Sequence, residues 1–206
     1  VLALIQGIAE ILPISSSGHL VLARSLMKLE TPGLSLEIAL HAGTLMAIVF
    51  FYRRQLLRLL QDFVKGGPGR RMVFLLLIGT LPATLIGLGF LKAWEALGSN
   101  PRWAAGLLIV NGLILLSLAL RRRRERELGF PQALGIGLAQ AVAIAPGISR
   151  SGTTIVAARH LGIAPEKAAE FSFLLSIPAI LGANLVEAIQ HGGQTPGEVS
   201  WPLLLA

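Results

Sequence analysis

The fold is decided by two polar stretches, Pro13-Ile-Ser-Ser-Ser-Gly-His19 and Pro146-Gly-Ile-Ser-Arg-Ser-Gly-Thr-Thr154, which interrupt the apolar regions 1–27 and 130–161. We call residues 13–19 the first break and residues 146–154 the second break. Inside a membrane, a broken helix is tolerated only where its freed backbone groups face protein or a water-filled cavity. Each region is therefore predicted to form a re-entrant helical hairpin, with a kinked full-length span as the alternative.

The composition around the breaks predicts that the chain lies in lipid. The 206 residues are 53% hydrophobic and only 14% charged, and their mean hydropathy is +0.70, whereas soluble domains carry about 25% charged residues. A soluble globular domain is excluded, and an integral membrane protein is predicted. The net charge is +7, but the basic residues lie in two short clusters between apolar runs instead of along one face. Nucleic acid is therefore not an expected partner. The absence of cysteine excludes disulfides and a thiolate nucleophile.

Four further apolar runs are predicted to span the membrane, because each is near the ~20 residues that cross a bilayer. They are 36–52, 72–91, 103–120 and 168–189. Basic residues cluster in the loops around 53–71 and 121–126, and such clusters mark the cytoplasmic side. Tracing the chain from these loops makes the first hairpin enter from outside and the second from inside.

An internal repeat supports the same arrangement. A shift of 134 residues matches Gln6 with Gln140 and Ser15 with Ser149. Paired broken helices in two halves of a chain are typical of inverted-topology repeats, whose binding site forms where the breaks meet. The sequence therefore predicts that the two breaks come together.

The predicted fold is an all-α, polytopic membrane protein with an inverted-topology repeat and two re-entrant helical hairpins. The whole chain, 1–206, is expected to be a single transmembrane domain. It divides into repeat one at about 1–60, a linking hairpin at about 72–120 and repeat two at about 130–206.

The residue types in the breaks indicate a site for an anion, and phosphate is the predicted ligand. A charged side chain at membrane depth is costly and marks a functional interior, and the guanidinium fork of Arg150 suits phosphate oxygens. Hydroxyl groups and free backbone N–H groups at a helix start add further donors. The alternative for the hydroxyls is helix N-capping. The candidate binding hydroxyls are those of Ser15, Ser17, Ser149, Ser151 and Thr153.

The first break also contains the parts of a nucleophilic site. If a helix begins near residue 16, His19 lies about one turn from Ser15 and Ser16, within reach of an attacking hydroxyl. The alternative is a neutral histidine that is hydrogen-bonded between helices. Gln6 and Glu10 share one helical face, so their oxygens are candidate ligands of a divalent cation such as Mg²⁺ or Ca²⁺. Phosphate oxygens and water would complete that shell.

The remaining polar residues of the apolar runs are less informative. Asn111 and Asn184 are interpreted as hydrogen-bonding groups between helices.

These motifs closely resemble those of the bacterial undecaprenyl-diphosphate phosphatase family of the bacitracin-resistance type. In that family an (E/Q)xxxE segment leads into PxSSxGH, and PGxSRSxxT follows later. Here the first segment is Gln6-Gly-Ile-Ala-Glu10, and the two breaks supply the other motifs. The resemblance runs through most of the chain.

The resemblance implies hydrolysis of a C55 polyprenyl diphosphate to inorganic phosphate and the monophosphate lipid carrier of cell-wall synthesis, and with it bacitracin resistance. It implies catalytic roles for Glu10, Ser16, His19 and Arg150, phosphate contacts at Ser17 and Ser149, and a divalent metal requirement. It also implies a multi-pass protein of the bacterial cytoplasmic (inner) membrane, among membrane lipids, with its active site open to the periplasmic side.

The resemblance further implies a longer protein, because the family continues for about two more transmembrane helices. We expect C-terminal helices beyond residue 206, and the oligomeric state is left open.

Two alternatives stay open from the residues alone. The nucleophile is Ser16, His19 or water, and both side chains are able to accept a phosphoryl group. The alternative function is a transporter or flippase for a phosphorylated lipid or another anion, because carriers also build anion sites from paired broken helices. A nucleophile beside a base favours the phosphatase.

Overall fold

The structure, a computed structural model, describes residues 2–27, 34–90, 94, 100–120 and 126–191, without the side chains of 34–38, 187, 188, 190 and 191. The secondary structure in these ranges is helix joined by turns and short irregular segments, with no strand among them. The all-α prediction is confirmed. Most of the second basic cluster, 121–125, and the end of repeat two, 192–206, lie outside the described residues.

The described helices are numbered here in chain order. They are α1 (Leu2–Ile11), α2 (Ser16–Met27), α3 (Leu34–Lys65), α4 (Arg70–Gly89), α5 (Pro101–Leu116, continued by the 3₁₀ turn Ser117–Leu120), α6 (Phe130–Val142), α7 (Arg150–His160) and α8 (Pro165–His191). The start of helix α5 is capped, because Asn100 Oδ1 accepts a hydrogen bond from the Arg102 N–H and Pro101 occupies the first helical position.

Three described helices are long and apolar enough to cross a membrane: Arg70–Gly89, Pro101–Leu120 and Pro165–Val186. They overlap the predicted spans at 72–91, 103–120 and 168–189. Many of their apolar side chains face outward, such as Leu85 at 68% exposure, which suits a lipid environment. The span predicted at 36–52 falls within α3, where the side chains of 34–38 lie outside the described residues.

Each broken region consists of two short helices joined by a turn. Helix α1 packs on α2 across residues 12–15, and α6 packs on α7 across residues 143–149. Both turns contain a residue in the left-handed region, Ser15 at φ +69° and Gly147 at φ +107°. The two sequence breaks therefore coincide with interruptions of helical structure.

The larger buried cluster of the described residues holds α6 and α7 against α4 and α8. Its members are Leu75, Ala133, Ile136, Ala158, Ile163, Ala168, Phe171 and Leu175. Helices α4 and α6 approach closely at two glycines, since a Cβ on Gly137 would lie 2.4 Å from the carbonyl oxygen of Gly79. A smaller cluster of Leu2, Leu20 and Leu40 joins α1, α2 and α3.

Candidate functional site

The two breaks lie in direct contact. A Cβ on Gly18 would be 2.9 Å from Gly147 Cα, and a Cβ on Gly152 would be 3.0 Å from the Pro13 carbonyl oxygen. The Gly147 N–H donates to Ser17 Oγ over 3.4 Å, although the two residues are 130 positions apart. Residues lacking a Cβ thus allow the backbones of the two breaks to approach each other.

Glu10, at the end of α1, is the hydrogen-bonding centre of this region. Its Oε1 accepts from Arg150 Nη2 at 2.6 Å. Its Oε2 accepts from Ser16 Oγ and, at 3.1 Å, from Gln6 Nε2. Its backbone carbonyl accepts from Ser151 Oγ at 3.3 Å. One carboxylate therefore connects a predicted nucleophile, a predicted phosphate ligand and a predicted metal ligand.

Arg150 and Glu10 form a largely buried ion pair, with side-chain exposures of 18% and 9%. The second guanidinium nitrogen, Nη1, donates to the carbonyl oxygen of Ser176 on α8 at 3.2 Å. Because a buried charge is tolerated only with an opposite charge and hydrogen bonds, Glu10 and Ser176 account for the position of Arg150. The fork therefore has a fixed orientation at the start of α7.

The His19 ring bonds to the backbone of Ser15 rather than to the Ser16 hydroxyl. Its Nδ1 lies 2.8 Å from the Ser15 carbonyl oxygen, and since a carbonyl only accepts, Nδ1 is the nitrogen that carries hydrogen. In the neutral ring Nε2 is then the basic nitrogen. Within the described residues, the hydrogen bond of the Ser16 hydroxyl goes to Glu10. The spacing of the two residues predicts that His19 exchanges a proton with Ser16. In the described structure, the Ser16 hydroxyl bonds to Glu10 and the His19 ring bonds to the Ser15 carbonyl oxygen.

Two other serines, Ser15 and Ser149, bond to backbone N–H groups at the starts of α2 and α7. Ser15 Oγ accepts from the Gly18 N–H at 3.3 Å and lies 3.3 Å from Ser17 Oγ. Ser149 Oγ accepts from the Gly152 N–H at 3.0 Å and so caps α7. The N-capping alternative thus describes both Ser15 and Ser149 in this structure.

Thr153 differs from these serines. Its hydroxyl is buried and has no hydrogen-bond partner in the described part of the chain. It lies in the first turn of α7, three residues after Arg150. A buried donor left open at a helix start is suited to an anion.

A family model described as "Bacitracin resistance protein BacA" matches residues 1–206. The chain belongs to the BacA family. The resemblance seen in the motifs is thereby confirmed.

Several curated relatives carry the name undecaprenyl-diphosphatase. The protein of Desulfatibacillum aliphaticivorans is 40% identical, over 98% of this chain and 81% of its own length. The protein of Rubrobacter xylanophilus is 43% identical, over 90% of this chain and 73% of its own. The protein of Rhodopirellula baltica is 45% identical, over 97% of this chain and 78% of its own.

The divalent cation expected for the BacA family has a partial set of oxygen donors here. Gln6 Oε1 is buried and has no hydrogen-bond partner among the described residues, while Gln6 Nε2 donates to Glu10. The described residues contain no group of three His, Asp or Glu side chains suited to a metal. An amide oxygen beside a carboxylate fits a hard cation that takes its other ligands from phosphate and water.

Two neighbours of the BacA-family site were not predicted as site residues from the sequence. Ser176 contributes a backbone carbonyl to Arg150, and backbone groups leave no signal in residue type. Asn111 of α5 bonds to both breaks, although the sequence analysis placed it only among interhelical hydrogen-bonding groups. Its spacing from the two motifs gave no indication of this position.

Proposed function

We propose that this BacA-family chain is an integral-membrane phosphatase. It hydrolyses undecaprenyl diphosphate to undecaprenyl monophosphate and inorganic phosphate, which recycles the lipid carrier of cell-wall synthesis and gives bacitracin resistance. The names of the relatives support this substrate. The observation that carries the reaction is the contact of Ser16 Oγ with a Glu10 carboxylate that is itself paired with Arg150.

Substrate binding begins at Arg150. The terminal phosphate of the lipid offers oxygens that compete with Glu10 Oε1 for the guanidinium group, since both are anionic acceptors of the same donors. The Thr153 hydroxyl, buried without a partner among the described residues, and the start of α7 add further donors. Ser17, Ser149 and Ser151, which belong to the same two breaks, are proposed as further phosphate contacts. Binding of the diphosphate thus weakens the hold of Arg150 on Glu10.

The chemical step uses Ser16 and Glu10. Ser16 Oγ attacks the terminal phosphorus, its proton passes to Glu10 Oε2, and the bond from phosphorus to the bridging oxygen breaks. Undecaprenyl monophosphate leaves, and Ser16 holds the phosphoryl group. Arg150 stabilises the charge that spreads over the transferring phosphoryl oxygens.

The second step returns the enzyme to its starting state. Water attacks the phosphoryl group on Ser16, the bond between Ser16 Oγ and phosphorus breaks, Glu10 Oε2 returns its proton to Ser16 Oγ, and inorganic phosphate leaves. Because Nδ1 of His19 is bonded to the Ser15 carbonyl, Nε2 is the nitrogen available to take the proton of that water. Glu10 thus takes and then returns the proton of Ser16, whereas His19 takes the proton of the water and releases it to solvent.

A divalent cation, Mg²⁺ or Ca²⁺, is proposed at Gln6 and Glu10. When bound, it would neutralise charge on the diphosphate oxygens. The Gln6 side-chain oxygen, which is buried and has no partner among the described residues, supports this placement. Because Gln6 is neutral, Glu10 supplies the single negative charge among the two proposed protein ligands of the cation.

We also propose the membrane arrangement that the charge pattern indicates. The helix pairs α1/α2 and α6/α7 re-enter from opposite sides as an inverted-topology repeat, in the bacterial inner membrane, and the site opens to the periplasmic side. The long prenyl tail stays among lipids beside the outward-facing apolar side chains. A carrier would need the Arg150 charge but not a hydroxyl bonded to a carboxylate, so the transporter or flippase alternative is not favoured.

The experiment is phosphate release from undecaprenyl diphosphate by the detergent-purified chain with Mg²⁺. Ser16→Ala and Arg150→Ala should release none. Thr84→Ala, which removes an exposed hydroxyl from α4, should match the parent chain. Binding of the lipid diphosphate without release by the parent chain would instead support a carrier.

A further inference from the structure

Asn111 lies at the centre of α5 and contacts both breaks with one amide group. Its Nδ2 donates to the Pro13 carbonyl oxygen of the first break at 3.2 Å. Its Oδ1 accepts from the Ser149 N–H of the second break at 2.9 Å. The side chain is only 3% exposed. The reverse orientation of the amide would place a donor against an N–H and an acceptor against a carbonyl, so the two bonds fix its direction.

Both backbone groups need a partner from outside their own helices. Pro13 lies in the turn between α1 and α2, and Ser149 is the N-cap residue of α7, whose own N–H has no acceptor within that helix. In an apolar environment an unpaired backbone group is costly. Asn111 therefore satisfies one freed group from each break.

The same two groups stand close to the residues of the proposed reaction. Pro13 precedes Ser16 by three residues, and Ser149 directly precedes Arg150. The amide of Asn111 thus spans the gap between the segment that carries the attacking hydroxyl and the segment that carries the guanidinium fork. Neither hydroxyl nor fork contacts Asn111 directly in the hydrogen bonds described above.

Helix α5 also fits against the second break at a glycine. A Cβ on Gly147 would lie 2.6 Å from the Ala104 carbonyl oxygen and 2.8 Å from Leu107 Cβ. On the other break, a Cβ on Gly18 would lie 2.9 Å from the Leu108 side chain. Helix α5 is therefore a common support for both breaks, and Asn111 supplies its directional polar contact.

We propose that Asn111 is a positioning residue that sets the separation of Ser16 and Arg150 by bridging the two breaks. The inference rests on the proposed phosphatase function for its catalytic consequence, but the bridge itself has a readout that needs no turnover. Attack by Ser16 on a phosphorus held by Arg150 requires near-contact geometry. Loss of the bridge should therefore lower kcat more than it raises KM.

The test replaces the amide by a side chain of similar size, Asn111→Leu. Turnover of undecaprenyl diphosphate should fall at least about tenfold in kcat, with KM within about twofold, because binding depends on Arg150 and alignment depends on the bridge. Asn184→Leu, the same change about two turns beyond Ser176 on α8, is the matched control and should leave both constants near those of the parent.

A distance measurement runs beside the kinetics. The chain has no cysteine, so Leu12→Cys and Val142→Cys, both at exposed positions flanking the breaks, place two spin labels without background. Double electron–electron resonance in lipid nanodiscs should show a narrow distance distribution in the parent pair and a broader one with Asn111→Leu. Asn111→Ala serves the same purpose if the leucine variant fails to insert.

The outcomes separate the bridge from the proposed function. An unchanged kcat together with an unchanged distance distribution in Asn111→Leu would overturn the inference, as would equal losses in Asn184→Leu. A broadened distribution with no turnover in the parent chain would uphold the bridge and reject the phosphatase.

Discussion

Glu10 and Arg150 form an ion pair across the two breaks, with Glu10 Oε1 and Arg150 Nη2 2.6 Å apart. Removing two charges from water offsets most of what their attraction contributes, so a buried ion pair is a weak source of stability. The ion pair is suited to ligand exchange, because an incoming phosphate offers Arg150 the same kind of anionic acceptor as Glu10 and is able to replace it. Binding of the substrate to Arg150 therefore frees Glu10, which is the proposed base for Ser16.

Arg150→Lys should lose most of the phosphatase activity although the charge is kept. A lysine ammonium lacks the planar fork with which Arg150 reaches both Glu10 and the Ser176 carbonyl. We expect kcat/KM for undecaprenyl diphosphate to fall about 100-fold, which corresponds to about 2.7 kcal/mol of transition-state stabilisation.

The control is the same change on the same helix. Arg159→Lys lies at the last turn of α7, where Arg159 donates to the Ile163 carbonyl oxygen, and it should keep near-parental kinetics. Near-normal turnover by Arg150→Lys would remove the bidentate fork from the mechanism.

Removal of the His19 ring should trap the enzyme after the first chemical step. If Glu10 takes the Ser16 proton and His19 serves the water step, His19→Ala should still form a phosphoryl enzyme but hydrolyse it slowly. Intact-protein mass spectrometry after an acid quench should show a phosphorylated chain. Phosphoserine survives acid, whereas phosphohistidine does not.

The double variant tests where the group is attached. Ser16→Ala with His19→Ala should show no phosphorylated chain at all. A phosphoryl group that appears in Ser16→Ala and disappears on acid treatment would make His19 the nucleophile.

The helical breaks were predictable because proline, glycine and serine interrupt apolar runs that have no other reason to stop. Gln6 and Glu10 were also predictable as neighbours, since a spacing of four places them on one helical face and Gln6 Nε2 does donate to Glu10. Such inferences depend only on local periodicity.

The partner of the Ser16 hydroxyl was not predictable in the same way. Spacing favoured His19, but the turn at 12–15 with Ser15 at φ +69° directs the start of α2 toward the end of α1 and hence toward Glu10. The position of Asn111 depends on how α5 packs across both halves. Residue type and spacing contain no information on that packing.

Gln6→Glu should tighten the proposed metal site. A second carboxylate beside Glu10 adds negative charge to an oxygen shell, so the Mg²⁺ concentration for half-maximal phosphate release should fall several-fold, whereas Gln6→Leu should raise it. The measurement is initial rate against free Mg²⁺ after chelator treatment, which should itself stop hydrolysis.

Gln140→Leu provides the matched control for the metal prediction. Gln140 is the repeat partner of Gln6 and likewise has a buried side-chain oxygen without a partner in the described ranges, but its amide points to the Gly79 carbonyl rather than to Glu10. Its loss should leave the Mg²⁺ dependence unchanged. Activity that is indifferent to chelator would reduce Glu10 to a counter-ion and base.

Gly147→Ala should destabilise the fold and separate the second break from α5. The residue has φ +107°, which L side chains rarely adopt, and its new Cβ would meet the Ala104 carbonyl oxygen at 2.6 Å. Backbone strain and overpacking together should cost about 1–3 kcal/mol, seen as a lower midpoint of thermal unfolding in detergent. Gly112→Ala, on α5 with open space around its Cβ position, should keep the parental midpoint. Equal midpoints for the two variants would show that the close approach of α5 to the second break does not constrain the site.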